Sequence, residues 1–189
     1  IKDDVFYDAL PHKDSHIDPD ATRVRMSNAG LHAFSTFNDV VVLTNCHRIH
    51  KVKDAVNDEE AAFTVLSSIA LQGIRLSNPT FGETFLVSGL GLIGLLAVQI
   101  LKANGCKVLG IDPEEKKCNL AEVLGAETFQ LNENSDPLPW ILENTDNIGI
   151  DGAIITASTK SNDPVNFSAK ACRQRGRIIL VGVTGLDLR

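Results

Sequence analysis

Three glycines and one aspartate in this sequence have the types and spacing needed to hold a phosphate-linked nucleotide. Gly89-Leu90-Gly91-Leu92-Ile93-Gly94 reads GxGxxG, directly after the strand-like run Thr84 to Ser88 and at the head of an apolar stretch. In that setting each glycine has a separate task. Gly89 permits a tight turn, Gly91 lets the backbone approach a pyrophosphate, and Gly94 allows helix and strand to pack closely, while free amides at the helix start face the anion. Asp112 ends the next strand about twenty residues on, where an acid accepts from both ribose hydroxyls and repels a 2′-phosphate. The set predicts a dinucleotide site that takes NAD in preference to NADP, although Lys116 and Lys117 nearby work against that preference.

Other readings of the same residues compete. The glycines could serve only the packing of an apolar helix on a sheet, with Asp112 capping the helix after Pro113. A class I methyltransferase also joins a glycine-rich first turn to an acid at the end of its second strand, there to hold S-adenosylmethionine; the third glycine, Gly94, favours a pyrophosphate. A non-catalytic nucleotide-binding module is a further alternative. The histidines, His12, His16, His32, His47 and His50, all precede the main helix. Cys46, His47 and His50 form a CHxxH cluster, but on an extended chain the two histidines point to opposite faces, so an exposed polar edge outweighs a metal site.

The elements that must position these residues follow from pattern. Val40 to Leu43 and Arg48 to Val52 read as short strands of a small β element. Asn57 with Glu60 three residues later is a capping-box variant, opening a helix expected over Asp58 to Leu76 and stopped by Asn78-Pro79. Strands are expected at Thr84 to Ser88, Lys107 to Ile111, Thr128 to Leu131, Gly152 to Thr156 and Arg177 to Val183. Between them come helices at Leu92 to Ala103, from Pro113 to Gly125, around Trp140 to Glu143, and from Asp163-Pro164 to about Arg173, with Gly105, Gly125 and Gly176 as stops. Five strands joined by helical crossovers imply an α/β fold with a doubly wound parallel sheet, a Rossmann arrangement of order 3-2-1-4-5.

Composition excludes other classes. Eighteen Lys and Arg against 24 Asp and Glu give a net charge of -6, with no basic cluster longer than two residues, so nucleic acid has no electrostatic footing. The longest apolar stretch, Gly89 to Leu101, is shorter than the ~18 to 20 residues of a spanning helix, and no membrane segment is expected. Ile1-Lys2-Asp3-Asp4 lacks the apolar core of a signal peptide. Cys46, Cys106, Cys118 and Cys172 lie far apart with no CxxC pair, against both a disulfide framework and structural zinc. A cytoplasmic setting is expected, and the missing initiator Met suggests a piece of a larger protein.

On these residues the sequence resembles the medium-chain dehydrogenase/reductase family, the zinc-type alcohol dehydrogenases and their relatives. The resemblance spans about residues 23 to 187. It rests on Asn57-Asp58-Glu59-Glu60-Ala61-Ala62, Gly82-Glu83-Thr84, the GLGLIG turn, Leu124-Gly125-Ala126 and Val181-Gly182-Val183. The run Ile155 to Val165 is similar to members fused to a second oxidoreductase domain in bacteria. The resemblance implies hydride transfer between a nicotinamide and a small alcohol or carbonyl substrate. It also implies backbone contacts from Gly91, Leu92 and Ile93 to the pyrophosphate, and Asp112 and Lys117 on the adenosine ribose. Thr156, Ala157 and Val181 to Val183 would flank the adenosine and nicotinamide halves, with Ser68 beside the nicotinamide. For Lys117 the plainer reading is a solvated helix lysine, and for Val181 and Val183 it is strand core. Residues 1–56 would be a partial GroES-like segment and 57–189 a nucleotide-binding domain that stops before a sixth strand, its open sheet edge able to pair with a second copy. The family's zinc motifs are not reproduced, and Thr64 stands where a third ligand would lie, so no zinc is expected. No residue is assigned to proton transfer, and the chain alone is expected to be inactive.

Overall fold

A computed structural model of the chain describes residues 53, 55–132 and 135–185, with Asp58 as backbone only, and the backbone of two short strands upstream. The chain divides into two compact units after Val65. In the first, β1 (His32–Thr36) and β2 (Asp39–Leu43) pair antiparallel with Phe34 opposite Val41. The strand expected at Arg48 to Val52, and the Cys46, His47 and His50 cluster, lie outside the described residues.

Helix α1 (Asp58–Ala62) starts in the expected capping box: Glu60 N–H donates to Asn57 Oδ1 at 2.7 Å and Asn57 N–H to Glu60 Oε2 at 3.2 Å. It does not run on to Leu76. The Thr64 hydroxyl donates to the Ala61 carbonyl at 2.7 Å and competes for a backbone acceptor, Phe63 caps α1, and a separate helix α2 (Thr64–Ser77) follows.

The second unit holds the sheet. Its elements are β3 (Thr84–Ser88), α3 (Leu92–Ala103), β4 (Lys107–Asp112), α4 (Glu115–Val123), β5 (Glu127–Gln130), α5 (Leu138–Glu143), β6 (Ile150–Ile155), α6 (Asp163–Ala171) and β7 (Cys172–Leu180). All five strands pair in parallel, in the spatial order β5-β4-β3-β6-β7, which is the expected 3-2-1-4-5. Parallel strands are buried on both faces, and β3 shows why each residue is apolar. Phe85 and Val87 join Ala70, Ile74, Val98 and Leu101 in one core, while Leu86 joins Leu109, Ile141 and Ala153 in the other. The stops at Gly105 and Gly125 are Schellman turns: Cys106 N–H reaches the Leu101 carbonyl and Ala126 N–H the Ala121 carbonyl, with both glycines at positive φ. Among the described residues no helix is long and apolar enough to cross a membrane.

Two boundaries differ from expectation for identifiable reasons. The helix expected from Pro113 begins at Glu115, because Asp112 stays in β4 opposite Gln130 and its Oδ1 accepts from the Glu114 N–H at 2.9 Å, turning the chain first. Gly176 does not close a helix. It lies inside β7, where Arg175 takes a φ of 64° and the pairing slips between Cys172 opposite Ile150 and Arg177 opposite Gly152. The extra residues form a bulge, so β7 starts at Cys172 and ends at Leu180, short of Val181 to Val183.

At the amino ends of the strands, Glu83 accepts from Arg177 and from the Thr80 amide, while Asp151 accepts from Arg173 and from the Thr84 amide. Burial pushes the Glu83 carboxyl up, but these hydrogen bonds and the Arg177 charge outweigh it and hold the group below its ordinary 4.5. A depressed carboxylate pKa contributes stability that is complete above the unfolded value and is lost as pH falls through the folded one. Glu83→Gln should cost about 1 to 3 kcal/mol at neutral pH, on the scale of a charged hydrogen bond. It should also flatten the loss of stability below pH 4.5. Urea midpoints measured from pH 7 to pH 3 check this; identical pH profiles for variant and parent would contradict it.

Candidate functional site

The carboxyl ends of β4, β3 and β6 surround a cleft of about 560 Å³, lined by Gly89, Gly91, Asp112, Lys117, Thr156 and Ala157 among others. Such a crevice arises at the switch point of the sheet, where the crossover leaving β3 runs to β4 on one side while β6, which the chain reaches from β5, lies on the other.

The three glycines of the turn occupy different surroundings. Gly89 sits at φ +96°, and a Cβ there would fall 2.7 Å from the Ala157 nitrogen. A Cβ on Gly94 would meet the Gly89 carbonyl oxygen at 2.0 Å and Thr156 Oγ1 at 2.9 Å. A Cβ on Gly91 would meet nothing within 4 Å. Two glycines are therefore required by packing, and the third faces open space in the cleft. Gly91 is also the N-cap of α3 and makes no side-chain cap, so the amides of Leu92, Ile93 and Gly94 begin the helix without an intrahelical acceptor. The first helical bond, Leu95 N–H to the Gly91 carbonyl, comes one residue later.

Asp112 is only 5% exposed, and both carboxylate oxygens are held. Oδ2 accepts from the Leu90 amide at 2.7 Å and Oδ1 from the Glu114 amide at 2.9 Å. The first of these bonds ties the acid to the turn itself, and no motif in the sequence announces it. Asp112 caps no helix, contrary to the plainer reading of that residue. Lys117 Nζ lies 3.9 Å from Asp112 Oδ1 and 2.6 Å from Glu114 Oε1. Its hydrogen bond to Glu114 pushes the Lys117 pKa up, with the Asp112 and Glu114 charges adding to it.

Thr156 is placed by its hydroxyl, which donates to the Gly89 carbonyl at 2.5 Å and so fastens β6 to the turn. The remaining expected residues do not line the cleft. Val181 and Gly182 donate their amides to the Ile155 carbonyl, and Gly182 packs so tightly on Ala157 that a Cβ would fall 2.1 Å from its oxygen. Val183 is exposed, its carbonyl accepting from Thr159 N–H, and Ser68 is on the exposed side of α2. Ser158, Thr159, Ser161 and Asp163 also line the cleft; in the sequence they fall within the family-like run Ile155 to Val165, with Asp163 at a helix start, and no site role attaches to them there.

The described cysteines offer no nucleophile. Burial pushes the Cys106, Cys118 and Cys172 thiols above their ordinary 9.0, which keeps them protonated at neutral pH. Among the described residues no three His, Cys, Asp or Glu side chains come together as metal ligands. Thr64, where the resemblance puts a ligand, uses its hydroxyl on a backbone carbonyl.

A sequence profile of the zinc-binding dehydrogenases matches residues 93–188. The alcohol dehydrogenase of Geobacillus stearothermophilus is 29% identical over 134 residues, covering 70% of this chain and 39% of its own length. The NAD-dependent alcohol dehydrogenase of Saccharolobus solfataricus is 27% identical over 161 residues, covering 84% of this chain and 46% of its own. Among solved structures, the 2R,3R-butanediol dehydrogenase of Bacillus subtilis superposes with a TM-score of 0.71 at 24% identity, covering 79% of this chain and 42% of that one. At that identity the likeness speaks for the fold. The chain spans less than half the length of each of these relatives.

Proposed function

The chain belongs to the zinc-binding dehydrogenase family, and from that premise we propose that its second unit binds NAD(H) for hydride exchange with an alcohol or carbonyl substrate. The observation that carries the reading is Gly91: in a turn whose other two glycines are demanded by packing, it alone faces the cleft with nothing within 4 Å. That open backbone, next to helix-start amides, is what a pyrophosphate needs. Gly91, Leu92 and Ile93 would hold the pyrophosphate, Asp112 and Lys117 the adenosine ribose, and the chain at Thr156 and Ala157 the adenosine side. Val181 to Val183, with Ser68, would border the nicotinamide.

A bound nicotinamide supplies or accepts the hydride, and the protein supplies orientation and field. Asp112 does its part while pinned by two backbone amides, so its carboxylate meets the ribose hydroxyls in a fixed direction and loses little freedom on binding. Among the described residues no group of three His, Cys, Asp or Glu side chains is placed to hold a zinc ion. The wall that presents an alcohol or carbonyl to the nicotinamide would come from outside residues 66–189, which alone would bind cofactor without turnover.

The test is ligand-induced stabilisation. NADH at ~100 times its dissociation constant should stabilise the chain by about 2.7 kcal/mol. NADPH should bind more weakly by about 1 to 3 kcal/mol, since Asp112 would lose its ribose partners and face a phosphate. S-adenosylmethionine should do nothing. Stabilisation by S-adenosylmethionine and not by NADH would overturn the proposal, and equal affinities for NADH and NADPH would overturn the preference.

A further inference from the structure

Beside Asp112, Lys117 is paired with Glu114, a carboxylate to which the nucleotide reading gives no role. Lys117 is the only cationic side chain among the described residues lining the cleft. Its Nζ is 2.6 Å from Glu114 Oε1, and Glu114 does not line the cleft itself. Glu114 occupies the N-cap position of α4, yet its side chain makes no capping hydrogen bond. Its carboxylate therefore has no helix-starting duty and is given to Lys117.

A dinucleotide with a 2′-phosphate brings a dianionic group to the ribose end, next to Asp112. An acid at that point can be tolerated only if a free cation answers the phosphate. Here the one cation lining the cleft among the described residues is already paired: a ribose hydroxyl would need only one of its three N–H donors, whereas drawing the charge of Lys117 over to a phosphate would strand the Glu114 carboxylate nearby. Glu114 is 63% and Lys117 36% exposed, so water weakens the pair, but at 2.6 Å it lies well inside the ~10 Å screening length of 0.1 M salt and is not abolished by it.

We propose that Glu114 is a specificity-determining residue of the cleft: by holding Lys117 in an ion pair it withholds the charge a 2′-phosphate needs, and so selects dinucleotides with a free 2′-hydroxyl. This rests on the NAD(H) reading above and deepens it. Glu114 acts through Lys117 and needs no contact with the ligand. The competing view is an ordinary surface pair spaced three residues apart, which would add to helix stability and leave ligand choice alone.

The experiment is equilibrium titration of the full chain with NADH and with NADPH, for the parent, Glu114→Gln, Lys117→Gln and the double variant. The readout is the NADPH-to-NADH affinity ratio within each protein, so a general loss of folding cancels. Glu114→Gln should raise the ratio roughly tenfold, the effect of one new charged contact. In the Lys117→Gln background the same change should raise it less than about threefold, because no cation is released and only direct repulsion is relieved. An unchanged ratio in Glu114→Gln, or an equal rise with and without Lys117, would overturn this inference while leaving NADH binding intact. Failure of the parent to bind NADH at all would overturn the dinucleotide reading, and this inference with it.

Discussion

Gly91→Val should fold and yet be blind to NADH. Gly91 has φ -69° and ψ -171°, ordinary extended backbone that a valine adopts without strain. Its missing Cβ would touch no atom within 4 Å. The expected cost to the unliganded protein is therefore small, about 1 kcal/mol for a poor N-cap residue. The effect on binding should be large, because the added side chain fills the space in which a pyrophosphate must meet the helix-start amides. A loss of at least ~100-fold in NADH affinity, about 2.7 kcal/mol, is expected. Melting curves with and without NADH decide it. A variant stabilised by NADH as strongly as the parent would show that the cleft holds the cofactor elsewhere.

That prediction uses a distinction the sequence states only in part. GxGxxG after a strand announces a turn, a helix and an anion site, and it does so because those tasks exclude side chains. The strand order was equally legible, since hydrophobic runs separated by helical crossovers admit few parallel arrangements. What remained hidden depends on contacts between segments distant in sequence. The start of β7 is set by a bulge against Ile150 and Gly152, so Gly176 and the residues around it look like a helix stop when read alone. The break at Phe63 turns on one hydroxyl, that of Thr64, choosing a helix carbonyl. Within the cleft, Asp112 was found through its spacing. Its bond to the Leu90 amide follows only from three-dimensional placement, whereas the Glu114–Lys117 pair has a helical spacing of three that says nothing by itself of its place beside the cleft. The loop bearing Ser158, Thr159 and Ser161 has no periodicity to betray it, and the Asp163-Pro164 pair beside it read simply as a helix start.

Gly94→Ala should behave in the opposite way, losing stability before any ligand is considered. A Cβ on Gly94 would come within 2.0 Å of the Gly89 carbonyl oxygen, and that oxygen is not free to retreat. The Thr156 hydroxyl donates to it at 2.5 Å, and the Gly89 amide is itself bonded to the Ile111 carbonyl at 2.9 Å. Moving the turn would therefore disturb β3, β4 and β6 together. Two effects compete at this site. Replacing a helical glycine by alanine gains about 1 kcal/mol of propensity. Forcing extra volume into a packed region costs about 1 to 3 kcal/mol, and more where backbone must yield. Because the obstacle is a doubly anchored carbonyl rather than the end of a flexible side chain, the clash should win by about 2 kcal/mol or more. Urea unfolding without ligand measures it, and a variant as stable as the parent would mean that α3 can slide away from β3 at little cost. In that event the separation between a glycine kept for packing and one kept for the ligand would collapse, and the cofactor-blindness expected of Gly91→Val could no longer be assigned to the open face of the turn.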